Sequence, residues 1–406
     1  MWAAQYRHML LTHCAVCAVP LGLALGKKCG RCSTRYCGPE CQKQHWDEGG
    51  HDKLCKKIKK GGGAEQYHAD KKCTEAVAAA AVACAEDTKG QKCYICLEAA
   101  HPRKGEGFVR GCACGDRDGV SSPELGVAHV SCLAEQAKIL CDEAEENKLG
   151  IKVRNEQWKR WYQCGLCGQW HHGVVYCALG WACWKTYLSR PEADWARMKS
   201  ITELGSGLFS ANHHEDALSV KEAELAMRRR VGSSEHNILV VQANLANTYY
   251  LVGRLDQALS INRDVYCVRV KIYGEAHKDT LISVINYANS LLSSKCFEEA
   301  RSLLRKTTTV AQRVLGESND LMIKMRLVYA RALYDDRGAT LDDLREAVTT
   351  LDETARIARR VLGTDHPVTS FVEMCLRKSR AALRAREGDD LSSVCEAVGA
   401  MTPGGV

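Results

Sequence analysis

Between Cys93 and Cys167 the chain carries eight metal-ligand residues in four close pairs: Cys93-x2-Cys96, Cys112-x-Cys114, His129-x2-Cys132 and Cys164-x2-Cys167. A tight turn between two such residues points both donor atoms at one ion, and zinc takes four such donors tetrahedrally. Eight donors therefore make two sites. In interleaved zinc domains the first and third pairs share an ion, as do the second and fourth. That expectation puts Cys93, Cys96, His129 and Cys132 on one zinc and Cys112, Cys114, Cys164 and Cys167 on the other.

The order Cys-Cys-Cys-Cys-His-Cys-Cys-Cys, with one residue between Cys112 and Cys114, resembles the RING-CH family, whose members are ubiquitin ligases. The resemblance implies that Ile95 is the apolar residue that contacts a ubiquitin-conjugating enzyme. Two departures stand against activity. Cys164-Gly165-Leu166-Cys167 lacks the usual proline, and Gly168 and Gln169 supply no arginine to clamp ubiquitin. The PHD finger, a histone-tail reader, shares the ligand order, but Tyr162 stands where that family has tryptophan.

A second paired run precedes this one: Cys14-x2-Cys17, Cys29-x2-Cys32, Cys37-x3-Cys41 and His51-x3-Cys55. The last two pairs have the i, i+4 spacing of one helix face. About forty residues bury too little apolar surface to fold alone; a structural zinc supplies on the order of 10 kcal/mol. Tyr36-Cys37, Cys41-Gln42 and His45-Trp46 resemble the MYND-type zinc finger over residues 14–55. That resemblance implies Cys14, Cys17, Cys37 and Cys41 on one zinc and Cys29, Cys32, His51 and Cys55 on the other. Cys41 and His51 stand two residues further apart than usual, with Gly49-Gly50 as the extra pair, which makes His45 a rival ligand. MYND fingers bind short proline-containing peptides, and Gln42 and Trp46 match the positions that line their groove. Trp46 also has a plainer reading, as a lid over the small core.

The 23 cysteines fall mostly in metal-type pairs, which points to zinc and a reducing, intracellular compartment, cytoplasmic or nuclear, with no secretion expected. Thiolate ligation and four zinc ions take the formal charge from +7 to about +1, so charge gives no argument for nucleic acid. No run of about 18 apolar residues marks a membrane span.

From residue 191 the chain repeats. Gly232, Gly274 and Gly316 are each 42 apart, and Gly363 follows after 47. Leu204-Gly205, Leu245-Ala246, Tyr287-Ala288 and Tyr329-Ala330 keep the same phase, as do Ala217, Ala258 and Ala300, with Ala347 displaced by five. A fixed period of this size means stacked helical hairpins. Tyr273-Gly274-x2-His277 and Leu362-Gly363-x2-His366-Pro367 resemble the 42-residue tetratricopeptide repeats of kinesin light chains, over roughly 191–385. The ladder picks out Asn247, Asn289 and Arg331, with Asn244 and Asn286 one turn earlier, as residues expected to hold an extended peptide.

The expected fold is mainly α: two small cross-braced zinc domains, MYND at 14–55 and RING-CH-like at 93–167, and a C-terminal tetratricopeptide α-solenoid at 191–385. Gly61-Gly62-Gly63 is expected as a flexible joint within a 56–92 linker that carries an alanine-rich helix. A connecting helix spans 168–190, with the stripe Cys177, Trp181, Trp184 and Leu188, and a disordered tail covers 386–406. No P-loop, Gly-x-Ser-x-Gly, His-Glu-x-x-His or Rossmann glycine motif is present. The functional expectation is a four-zinc protein that recruits proteins or peptides, with ubiquitin ligase and histone-tail reader as alternatives.

Overall fold

A computed structural model describes residues 14–17, 19, 21, 26–100, 105–112, 126–362 and 367–400, with residues 367 and 389–400 described in backbone only. Cys114, Gly363 and His366 lie outside the described residues. The chain forms two compact units, Met1–Thr248 and Tyr249–Val406.

The first unit opens on a two-stranded antiparallel ribbon, β1 Lys27–Lys28 and β2 Arg35–Tyr36, with Lys27 opposite Tyr36. Helices α1 Pro39–Asp47 and α2 His51–Lys60 follow. The Gly61–Gly63 run is a folded turn and not the flexible joint expected. Gly61, Gly62 and Gly63 donate their N–H groups to Lys57, Lys59 and Ile58 carbonyls at 3.0, 3.2 and 3.1 Å. Gly62 and Gly63 have φ of +85° and +95°, which side-chain-bearing residues rarely adopt. The turn delivers α3, Ala64–Ala83, with Ala64 N bonded to Cys32 O at 2.8 Å and Glu65 paired to buried Arg35 at 2.7 Å.

Next come α4 Val130–Glu146, α5 Ile151–Trp158 with a 3₁₀ turn at Lys159–Trp161, and α6 Gly173–Tyr187. α4 stops at Glu146, and Gly150 stands at the N-cap of α5. Every residue of α6 from Val175 to Trp184 is buried. Its apolar stripe is therefore a whole cylinder, and a helix apolar all round must be covered on all sides. α3, α4 and the 3₁₀ turn cover it, together with α7 Trp195–Ser210, whose Asp194 caps Arg197 N at 3.0 Å. One continuous core runs through Cys73 of α3, Ala137 of α4, Trp158, Trp161, Trp181, Leu204 of α7 and Met227 of α8, His214–Arg230. The sequence places α7 and α8 in the repeats, yet their core is shared with the zinc-bearing segments. α9, Glu235–Leu251, crosses from the first unit into the second.

The second unit holds α10 Leu255–Tyr273, α11 Lys278–Ser293, α12 Phe297–Leu315, α13 Asp320–Tyr334, α14 Leu341–Leu362 and α15 Pro367–Ala400. Each helix packs on the next, and α11 also packs on α13. The period has a local cause. Gly274 and Gly316, at φ +82° and +77°, end α10 and α12. Three residues later His277 and Asn319 accept the N–H of Asp279 and Leu321, at 3.2 and 2.9 Å, and start α11 and α13. The phased small residues Ala246, Ala288, Ala330, Ala258, Ala300 and Ala347 are all buried, as close helix approach requires. α15 runs through residues 386–400 of the stretch that sequence reads as a disordered tail, and residues 401–406 lie outside the described residues.

Candidate metal centres and partner surfaces

Among the described residues four donor groups assemble. Cys14, Cys17, Cys37 and Cys41 form one, and Cys29, Cys32, His51 and Cys55 another; within each, all donor atoms lie within 4.8 Å of one another. Cys17 and Cys37 sulfurs are 3.4 Å apart, Cys29 and Cys55 sulfurs 3.8 Å, and Cys32 sulfur lies 3.4 Å from His51 Nε2. The edge of a tetrahedron with metal–sulfur bonds of about 2.3 Å is about 3.8 Å, so the spacing fits zinc. α2 supplies His51 and Cys55 one turn apart.

His45, the rival ligand, belongs to no donor group among the described residues. It is buried, its Nδ1 lies 3.0 Å from Tyr36 OH, and its ring stands 4.8 Å from that of His51. Burial, helped by His51 and His68, pulls it down to about 4, so it stays neutral. The extra pair Gly49-Gly50 makes this possible. A Cβ on Gly49 would come within 2.3 Å of His45 Cδ2, and Gly50 at φ +70° caps α2.

The Cys-x2-Cys turns also stabilise thiolate directly. Burial raises the Cys14 thiol, but backbone N–H groups of Cys17, Cys37 and Val16 outweigh it and bring it to about 7. Cys29 and Cys93 are lowered in the same way, with Ile95 N donating to Cys93 sulfur at 3.4 Å. Cys55, which shares a donor group with Cys29, is pushed up to about 12 by burial and by the Cys32 and Cys29 sulfurs. Four packed thiols cannot all ionise unless a cation joins them.

Cys93, Cys96, His129 and Cys132 form the third group, with His129 Nδ1 3.4 Å from Cys96 sulfur and 3.5 Å from Cys132 sulfur. His129 caps α4, which carries Cys132, and Phe108 stacks on its ring at 4.9 Å. Cys112, Cys164 and Cys167 form the fourth. Among the described residues the first pair meets the third, and Cys112 meets the fourth pair. His171 and His172 join no donor group among the described residues.

Sequence reading overlooked the buried acid Glu106. Its carboxylate accepts from Ser131 N at 2.9 Å and from the Ser131 hydroxyl, closing the first turn of α4. It also overlooked Glu203 on α7, fully enclosed between Trp158 Nε1 at 2.9 Å and Tyr176 OH at 2.7 Å. Single acids in helical sequence carry no sign of burial.

Among the partner residues, Trp46 is 41% exposed with its edge toward His51, and Gln42, one turn earlier, is half-buried. Ile95 is half-buried, while Leu97 and Leu166, on the two zinc turns, are exposed. Asn247 is exposed and Asn244 half-buried in the first unit. In the second, Asn289 Nδ2 donates to Ile285 O at 3.0 Å while its Oδ1 accepts from Arg331 Nη1 at 3.3 Å. Half-buried Asn286 offers its carbonyl to Asn262 at 3.4 Å. Lys221 Nζ donates to Asn244 O at 3.4 Å and to Thr248 Oγ1 at 2.9 Å; burial pulls it down to about 8.

Residues 14–55 match the MYND finger family, and residues 239–279 and 339–368 match a tetratricopeptide repeat family. No curated protein matches the chain. Among solved structures, the nearly identical TPR-like repeats of a Podosopora anserina kinesin light chain are 18% identical, with a TM-score of 0.39, covering 58% of this chain and 98% of theirs. BtubC (BKLC) from P. vanneervenii is 14% identical, with a TM-score of 0.40, covering 68% of this chain and 95% of its own. The MYND finger binds zinc, and the four groups are able to hold metal ions. This is a zinc-binding protein–protein interaction protein built from a MYND finger and tetratricopeptide repeats. No described helix is long and apolar enough to cross a membrane.

Proposed function

We propose that the protein is an intracellular scaffold in which a zinc-held MYND finger and a helical repeat array bring two partners together beside a RING-CH-like centre at 93–167. The observation that carries this reading is Trp46, a large aromatic ring 41% exposed on α1, the helix that carries Cys41 of the first donor group. A solvent-facing tryptophan on a rigid support is the kind of side chain that anchors a partner. Gln42 on the same helix face supplies a polar contact, and the pair suits a short proline-containing peptide. The repeats take an extended peptide through Asn244 and Asn247 in the first unit and Asn286, Asn289 and Arg331 in the second. The sixteen ligands are those named above, with Cys114 completing the fourth group. Titration of labelled proline-containing peptides onto the metal-loaded protein tests the reading. Trp46→Ala should abolish saturable binding without loss of metal, and unchanged affinity would remove Trp46 from the interface.

The second reading, a ubiquitin ligase, is favoured by the interleaved donors and by Ile95, Leu97 and Leu166 on the two zinc turns. Such a module does no covalent chemistry; it holds a charged conjugating enzyme in a reactive geometry. Autoubiquitination across a panel of conjugating enzymes decides between ligase and scaffold. Binding of histone tails instead would select the PHD-like alternative, with Tyr162, packed on Trp170 at 4.8 Å, as the residue to test.

A further inference from the structure

A stack of helical hairpins leaves an apolar face bare at each end unless something caps it. The hairpin α7–α8 carries the repeat phase at Leu204-Gly205 and Ala217, and no earlier hairpin of that phase precedes it. Its inner face is covered by α6. The two helices touch backbone to backbone. A Cβ on Gly180 of α6 would lie 2.8 Å from Glu203 O, and one on Gly207 of α7 would lie 2.6 Å from Tyr176 O. Glycines on both facing surfaces show that the approach is matched from each side.

One buried carboxylate fastens this pair to the zinc module. Burial pushes the Glu203 carboxyl up, and its donors Tyr176 and Trp158 pull it back. Tyr176 belongs to α6, and Trp158 ends α5, the last helix before Cys164. A carboxylate buried without such donors is strongly unfavourable. Glu203 is therefore tolerated inside only while α5 and α6 keep their places. The start of α6 is tied in turn to the fourth donor group. His172 N bonds Gly111 O at 3.1 Å beside Cys112, His171 N bonds Tyr162 O at 2.8 Å, and Cys164 N bonds Gln169 O at 2.8 Å. At this same end of α6, Gly173 N bonds Ser210 Oγ of α7 at 2.7 Å.

We propose that the 93–167 module with α6 is the amino-terminal cap of the repeat array, and that metal held by Cys112, Cys164 and Cys167 governs the order of α7 and α8. Loss of that metal frees both loops from which α6 starts. α6 then loses its register on α7, Glu203 loses its donors, and the hairpin comes apart from a cap it cannot replace. Partner binding on the first-unit repeats becomes metal-dependent, although none of their residues is a ligand. This holds whether or not the module recruits a conjugating enzyme, so its failure and that of the ligase reading are separate results.

The test is hydrogen exchange, read by mass spectrometry on the full metal-loaded chain. Cys164→Ser should speed exchange across Trp195–Arg230 by roughly tenfold or more, with Lys278–Tyr334 unchanged. Cys32→Ser, which unloads the finger, should leave Trp195–Arg230 protected. Full protection there in Cys164→Ser, with the metal count reduced, overturns the proposal. Because Cys164→Ser could unfold the first unit outright, the coupling is also read in reverse. It is reciprocal, so prying α7 off α6 must weaken metal binding. Gly207→Ala should release one of the four ions, the one held by Cys112, Cys164 and Cys167, at roughly tenfold lower chelator concentration. Release of every ion at the wild-type concentration overturns the proposal by itself.

Discussion

Arg331 and Asn289, one 42-residue period apart on neighbouring helices, are joined by a hydrogen bond of 3.3 Å from Nη1 to Oδ1. Arg331 also lies 3.4 Å from Asp335, one turn on. The phase that selected both residues thus corresponds to a physical contact along α11 and α13. Asn289 presents a side chain already oriented by its neighbours, which lowers the entropy lost when a peptide takes those bonds over.

The double variant Asn247→Ala with Asn289→Ala should weaken binding of an extended peptide and leave the melting temperature almost unchanged. Asn247 is exposed and the Asn289–Arg331 bond is only partly buried. Such contacts are worth about 1 kcal/mol or less to folding. A melting temperature lower by many degrees would make these asparagines structural.

Purified protein should contain close to four zinc ions per chain by elemental mass spectrometry, one for each donor group. Cys37→Ser should lose ions and unfold residues 14–55, and chelation should do the same, because such a finger folds only with metal. Retained chemical-shift dispersion in that segment after chelation would refute this.

Gly49→Ala should destabilise the finger by about 1–3 kcal/mol. The added methyl meets His45 Cδ2 at 2.3 Å and the His45 backbone at 2.9 Å, and the latter cannot swing aside. The expected readout is earlier zinc release on thermal melting, while Gly38→Ala, with open space around it, serves as the control. Equal melting of the two variants would count against the close contact.

His171 is buried against Gly111, the neighbour of Cys112, and burial pulls it down from 6.5 to about 4. The unfolded chain takes up this proton near pH 6.5 and the folded chain only near pH 4. Its contribution to stability is therefore present above pH 6.5 and is lost as pH falls from there toward about 4. The ring resonances of His171 in the metal-loaded protein should stay flat between pH 7 and 5. A titration centred near 6.5 would show that the ring is open to water.

If the ligase reading holds, Ile95→Ala should cut autoubiquitination by roughly tenfold or more at unchanged zinc content, since a central apolar contact carries about 2 kcal/mol. Cys93→Ser should abolish both activity and zinc at that site. Wild-type protein inert with every conjugating enzyme would leave the scaffold reading, with the missing arginine after Cys167 as its cause.

Paired ligand spacing and the 42-residue phase made two zinc modules and stacked helical hairpins legible before any coordinates. Both signals are local. A ligand pair needs only a short turn, and the Gly274-x2-His277 step both ends one helix and starts the next. Local conformational requirements repeat in sequence, so they can be read from it. What only the tertiary structure decided is where the cores are shared. Sequence reads a boundary near 190, yet α7 and α8 pack into the core of the zinc-bearing segments, and the compact units part at Thr248. It shows Gly61–Gly63 as a joint, where the backbone makes a bonded turn. It leaves His45 and His51 as rivals, until Tyr36 takes one and Cys32 the other. Glycine, a lone histidine and a lone glutamate look alike in a sequence whether they face water or another helix. Gly180, Gly207 and Glu203 acquire their meaning only from backbones that meet across the fold, and burial is a property of that meeting rather than of the residue.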